Sequence, residues 1–216
     1  NSYARYSTRE NKKNKMKLLL ENWRNYVLLE NIETATRLSI FDFDETIAFS
    51  EGFVIVINKK TGEEFQISSQ EEYDKLKNDG GYEFDFSPLE QVNNAVENPN
   101  ITSIMRDRLQ DSSTQVMVLT ARAPVSVDDI HRVLQMFDEP IETKNIIIIG
   151  NEGANKGEYV RDVILTKYPN IKEIEFYDDS QNNIIDMQAI KKETSEDGSI
   201  EKFEIYKVDT GIPNLA

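Results

Sequence analysis

The 216-residue sequence contains no cysteine and one histidine, His131. The missing cysteines exclude disulfides, thiol catalysis and thiolate metal sites, and with one imidazole a zinc centre has too few ligands. Any metal bound here has to be a hard cation held by oxygen. Long apolar runs are missing as well. The longest are a few residues, short of a membrane span or a signal-peptide core, so the expectation is a cytoplasmic protein with no membrane partner. Positive charge is scarce: 25 Lys and Arg face 39 Asp and Glu, and the net charge of −14 opposes general binding to nucleic acid.

The basic residues that exist are concentrated at the start. Residues 1–17 hold Arg5, Arg9, Lys12, Lys13, Lys15 and Lys17 against Glu10 alone, with no apolar period before Met16. From there Met16, Leu19, Leu20, Trp23 and Val27 recur at spacings of three and four, which predicts an amphipathic helix ending near Asn31. Residues 1–36 therefore read as a basic arm and helix, whose apolar stripe either packs on the core or docks on a partner. Residues 37–216, with 38% hydrophobic content overall, read as one folded domain of ordinary size with a small insertion at about 50–100.

The domain is organised around Leu38-Ser39-Ile40-Phe41-Asp42-Phe43-Asp44-Glu45-Thr46. An apolar stretch running into two carboxylates one residue apart reads as a buried strand that delivers charge to the mouth of a parallel sheet. Carboxylates at i and i+2 point to the same side and can share a cation or a reacting group. An acidic turn after the strand is the plainer alternative. A calcium loop is excluded by Ile47, which stands where that loop needs glycine.

Further along, Phe53–Ile57 and Glu64–Ile67 flank a polar loop containing Gly62, the pattern of a hairpin flap. Residues 68–100 form a polar, acidic insertion. Beyond it, strands are predicted at Val116–Leu119, Ile146–Ile149, Ile174–Tyr177 and Phe203–Val208, with helices at Ile101–Leu109, Val127–Phe137, Glu158–Tyr168 and Ile184–Lys191. Alternating strands and helices imply right-handed crossovers and a Rossmann-like three-layer α/β/α sandwich with a central parallel sheet, a hairpin flap and a small cap insertion.

Three more strand ends carry polar residues: Thr120-Ala121-Arg122, Lys156 at the start of a helix, and Asp178-Asp179-Ser180-Gln181-Asn182-Asn183. Alone, each has an ordinary structural role, as a loop cap, a solvated lysine or a helix cap. In order, together with Asp42-Phe43-Asp44-Glu45-Thr46, they resemble the four motifs of the haloacid dehalogenase superfamily of phosphatases and phosphotransferases. That resemblance implies Asp42 as nucleophile, Asp44 as general acid and base, and Lys156 as the neutralising cation. It also implies Thr46, Thr120, Ala121 and Arg122 around the phosphoryl group. The implied cofactor is Mg²⁺, held by Asp42, the Asp44 backbone carbonyl and one of Asp178 and Asp179, the other pairing with Lys156.

Asn183 departs from the pattern, standing where many relatives have a second acid. Gly150 to Gly157 is not a P-loop, since Asn155 and Gly157 replace the required Gly and Ser or Thr around Lys156. Arg122 resembles an Arg of polynucleotide-end phosphatases, which makes that activity one alternative. A binding protein of the same fold, tethered by its basic arm, is another. Residues 62–100 hold ten acids and two lysines, so the cover of the site is expected to favour small phosphomonoesters, such as nucleotides or sugar phosphates, over a polyanion.

Overall fold

The computed structural model describes residues 34–151 and 154–216. The basic arm and the helix expected near residues 16–31 lie outside them. In chain order the strands are β1 (Arg37–Phe41), β2 (Ala48–Glu51), β3 (Val54–Asn58), β4 (Glu64–Ile67), β5 (Tyr82–Asp85), β6 (Asn93–Glu97), β7 (Thr114–Thr120), β8 (Ile146–Gly150), β9 (Glu173–Asp178), β10 (Lys202–Asp209) and β11 (Ile212–Leu215). The helices are α1 (Gln70–Asp79), α2 (Pro99–Gln110), α3 (Val127–Met136), α4 (Lys156–Tyr159) and α5 (Gln181–Asp197), α4 continuing as a π-helical segment over Val160–Leu165.

The main sheet has the order β11-β10-β9-β1-β7-β8. All pairings are parallel except β10 with β11, which closes the edge as an antiparallel hairpin. Strands β1, β7, β8 and β9 are apolar toward both faces, as strands covered by helices on each side must be. Leu38, Ile40, Leu119, Ile174 and Phe176 join a core with Val160 and Ile164 from the π-helical continuation of α4 and Ile184, Met187 and Ile190 from α5. The alternate residues Phe41, Val116, Val118 and Tyr177 join Ile101, Met105, Ile130 and Leu134 from α2 and α3. The result is the Rossmann-like three-layer sandwich. The chain moves outward from β1 to β7 and β8, then crosses back to β9 and β10. That reversal opens a crevice at the carboxyl ends of β1 and β9.

The insertion carries more strands than the single hairpin expected from the sequence. β2 and β6 pair as a two-stranded stem, and beyond it β3 lies between β4 and β5. The predicted hairpin is present, but β5 adds a third strand. α1, capped by Ser69 and ended by Gly80 at φ 70°, accompanies them. Tyr73 packs edge-on to Phe84 and Phe86 and gives this small unit its own apolar contact. Two further differences concern ends: α5 runs to Asp197 rather than Lys191, and β11 had no counterpart in the sequence reading. Among the described residues no helix is long and apolar enough to cross a membrane.

One buried charge sits inside the sheet itself. Glu175 of β9 accepts from Arg108 Nε and Nη2 at 2.7 and 3.0 Å and from Ser39 Oγ at 2.9 Å, which fastens α2 to β1 and β9. Removing the guanidinium leaves a buried carboxylate with one neutral side-chain donor, Ser39, among the described residues. Arg108→Ala is therefore expected to lower stability by about 2 kcal/mol, seen as a lower urea midpoint with an unchanged m-value. An unchanged midpoint would mean that the pair does not brace the sheet.

Candidate active site

The site follows from strand register. β1 pairs Phe41 with Tyr177, and the ladder runs one step further, Asp42 N–H donating to the Tyr177 carbonyl at 2.9 Å. The next residues, Asp42 and Asp178, therefore emerge side by side. Phe41, Tyr177 and Tyr206 stack across three strands, with centroids 4.7 Å apart in both steps, toward the α2 and α3 face. Side chains alternate along a strand, so the two carboxylates project to the opposite face, where α4 begins.

Lys156 opens α4 and enters between them. Its Nζ donates to Asp42 Oδ1 at 2.5 Å and to Asp178 Oδ2 at 2.7 Å, and its side chain is 2% exposed. Asn155 caps the helix by accepting from Glu158 N–H at 2.8 Å. Gly157 lets α4 approach α5, since a Cβ there would lie 2.9 Å from the Asp186 carbonyl oxygen. Burial alone would lower the Lys156 pKa, but the Asp178 and Asp42 charges outweigh it and the net shift is upward. The lysine stays charged.

Asp178 is fully buried and has both oxygens engaged. Besides Lys156 it accepts from Ser180 N–H at 2.8 Å and from Asn183 Nδ2 at 3.0 Å to each oxygen. Asp42, Asp178 and Asp179 bring carboxylate oxygens within 4.8 Å of one another. Desolvation, then the neighbouring Asp178 and Asp179 charges, hold Asp42 well above the usual carboxylate range despite Lys156. Desolvation and Asp178 push Asp179 up to about 7. Among the described residues the three carboxylates meet one ammonium and are short of positive charge, and their all-oxygen donor set fits a hard divalent cation. With Asp178 committed to Lys156, Ser180 and Asn183, Asp42 and Asp179 are the carboxylates left to hold it.

Asp44 is separate from that cluster. Its carboxylate takes a two-point contact from Arg122, Nε to Oδ2 and Nη2 to Oδ1, both at 2.8 Å, and Ser50 Oγ donates to Oδ1 at 2.6 Å. Any share of Asp44 in a cation thus falls to its backbone carbonyl. The turn that carries it bends through Glu45 at φ 56°. Thr46 is fully buried, and its hydroxyl has no hydrogen-bond partner among the described residues. An unsatisfied buried hydroxyl costs about 1–3 kcal/mol unless a ligand binds it. Thr120, buried at the end of β7, accepts from Arg122 N–H at 3.2 Å, and Ala121 beside it is exposed.

Of the sequence-selected residues, Asp42, Lys156, Asp178 and Asp179 come together, Asp44 and Thr46 follow in the turn after β1, and Thr120 and Ala121 stand at the end of β7. Arg122 differs, being 3% exposed with its guanidinium turned to Asp44 and the insertion rather than toward the crevice. Two participants escaped the sequence reading. Asn183, taken as a departure from the acidic pattern, donates to both Asp178 oxygens, which an acid there could not do. Ser50 lies in the flap stem with no motif around it. The repeated amide run Gln181-Asn182-Asn183 was the one signal available for the first.

No family model and no curated protein matches the sequence. Among solved structures, the chain is similar to the HAD domain of the effector protein Lem4 from Legionella pneumophila, at a TM-score of 0.45 and 16% identity, covering 82% of this chain and 87% of that one.

Removing the lysine should expose the carboxylates' mutual repulsion. Lys156→Met is expected to cost about 3–5 kcal/mol of stability, and adding Asp42→Asn should return part of it in urea titrations. A stable single variant would refute the wedge role of Lys156. The pH dependence has a definite sign in chelator: Asp179 has a folded pKa near 7, above its unfolded value, so its contribution is present below about pH 4 and lost as pH rises through 7. Melting temperature should fall over that range, more gently in Asp179→Asn, and Mg²⁺ should reduce the fall. Parallel curves for the two proteins would show that Asp179 is not the titrating group.

Proposed function

We propose that the protein is a magnesium-dependent phosphomonoester hydrolase of the haloacid dehalogenase type, working through an aspartyl-phosphate. The observation that carries this reading is the buried Asp42–Lys156–Asp178 cluster beside Asp179, at the sheet's topological switch point, with a second, differently held carboxylate two residues after the first.

Asp42 attacks phosphorus, forming a P–O bond as the ester P–O bond breaks. Lys156 keeps the attacking carboxylate and the phosphoryl group from repelling each other. Asp44 gives a proton to the leaving oxygen, then takes one from the water that attacks the aspartyl-phosphate, releasing inorganic phosphate and restoring Asp42. The unpaired Thr46 hydroxyl and the Thr120 turn supply donors for the phosphoryl oxygens. Bound Mg²⁺, held by Asp42, Asp179 and the Asp44 carbonyl, would neutralise carboxylate and phosphate charge and favour the ionised nucleophile.

The insertion whose Leu89 and Gln91 carbonyls bind Arg122 holds ten acids and two lysines over residues 62–100, a charge that would repel a polyanion and favour a small phosphomonoester over a polynucleotide end. The test is phosphate release from 4-nitrophenyl phosphate. Mg²⁺ should be required, EDTA should abolish release, and Asp42→Asn should lower turnover by at least about 100-fold with the fold intact. Full activity in chelator, or in Asp42→Asn, removes the mechanism. In the same assay a mononucleotide should exceed a 3′-phosphorylated oligonucleotide in kcat/KM at low salt, and the reverse order would favour the polynucleotide-end activity.

A further inference from the structure

Arg122 was selected by sequence as a phosphate contact, yet its donors are committed elsewhere. Nε and one Nη2 N–H go to Asp44, the other Nη2 N–H to Ser50 Oγ at 3.0 Å, and the two Nη1 N–H groups to the carbonyls of Leu89 and Gln91 at 2.7 and 3.0 Å. Five N–H groups meet five acceptors, leaving none for an anion. The plane of the guanidinium is backed by Phe43, whose ring centroid is 5.9 Å from Cζ. The stem packs closely on it too: a Cβ at Gly52 would lie 2.7 Å from Leu89 Cδ2 and 3.8 Å from Arg122 Nη2.

From this geometry we propose that Arg122 is a positioning residue for the acid step rather than a phosphate ligand, holding Asp44 in one orientation and joining it to the base of the cap. The inference rests on the phosphatase reading. Asp44 is about one-third exposed, and a carboxylate there would otherwise sample several rotamers. A two-point guanidinium contact fixes both its torsion and its plane. Oδ1 already accepts from Nη2 and from Ser50, whereas Oδ2 accepts from Nε alone among the described residues. Oδ2 therefore retains the lone pair that carries the transferred proton. The two carbonyl contacts tie this arrangement to the returning limb of the insertion, which Asp129 also fastens by accepting from Val92 N–H at 3.0 Å.

The experiment compares a substrate that needs an acid with one that hardly does. A nitrophenolate leaves with little help, whereas the alkoxide from glycerol 2-phosphate must be protonated as it departs. In Arg122→Lys and Arg122→Gln, kcat/KM for glycerol 2-phosphate, which reports the step that protonates the leaving oxygen and not the later hydrolysis common to both substrates, is expected to fall about 100-fold, the size of a lost acid step, with kcat/KM for 4-nitrophenyl phosphate and both KM values changing only a few-fold. Lysine should not rescue, because it cannot reproduce the planar fork. Adding Arg122→Gln to Asp44→Asn should cause little further loss on the alkyl substrate, as expected for residues acting through one step.

Ser50→Ala, a partly exposed change that removes one donor from Asp44, should show the same selectivity at smaller amplitude, and serves if the Arg122 variants do not fold. A tenfold rise in KM for both substrates would overturn the inference and return Arg122 to phosphate binding. Equal loss of kcat/KM on both substrates with KM unchanged, or no selectivity in Ser50→Ala, would reduce it to a structural brace. If the wild-type protein hydrolyses neither substrate, the phosphatase reading itself falls and takes this inference with it.

Discussion

The ammonium of Lys156 between Asp42 and Asp178 is the interaction on which the rest of the site depends. It joins the ends of two neighbouring parallel strands to the first residue of a helix, and all three side chains are almost completely out of water. Such a group is tolerable only when each charge has its partners, because desolvation is costly and an orphaned member more so. The requirement propagates backward. It demands the register that sets Phe41 beside Tyr177, a helix starting at Lys156, and a glycine after it so that α4 can lie against α5. Slipping β1 by one residue would send Asp42 to the aromatic face and bury Phe41 among the charges.

Beyond that triad the electrostatics divide into two environments only two residues apart. On one side Asp42, Asp178 and Asp179 crowd together, and their charged forms are disfavoured until more positive charge is supplied. On the other, Asp44 sits partly in solvent with a guanidinium of its own. On the proposed mechanism one carboxylate attacks and the other shuttles protons, and those tasks need different surroundings. The chain provides them from a single strand end by turning sharply at Glu45 and by reaching across from β7 with Arg122.

Much of this was legible because buried parallel strands write themselves as apolar runs. Leu38–Phe41, Val116–Leu119, Ile146–Ile149 and Ile174–Tyr177 all fall inside observed strands, and the charged residues that follow them meet at one edge. What stayed hidden lacks that contrast. β5 reads Tyr-Glu-Phe-Asp, an alternation only four residues long, β6 reads Asn-Asn-Ala-Val-Glu with little apolar period, and β11 is four residues with a proline. The last turns of α5 are polar, held by Thr194 and ended by Gly198 at φ 71°, so hydrophobic spacing stops short of the true end. The engagement of Arg122 was invisible for another reason: two of its acceptors are backbone carbonyls, which carry no side-chain signature.

The stem of the insertion has a geometric consequence. Ala48 pairs with Glu97 and Glu51 with Asn93, so the forty or so residues between leave and rejoin the sandwich at neighbouring points. Closing a loop over so short a gap adds an entropy that grows only with the logarithm of its length. The core is accordingly nearly indifferent to how large that excursion is, or to what it folds into. The excursion can thus be lengthened, trimmed or exchanged while the sheet that positions the carboxylates keeps its geometry.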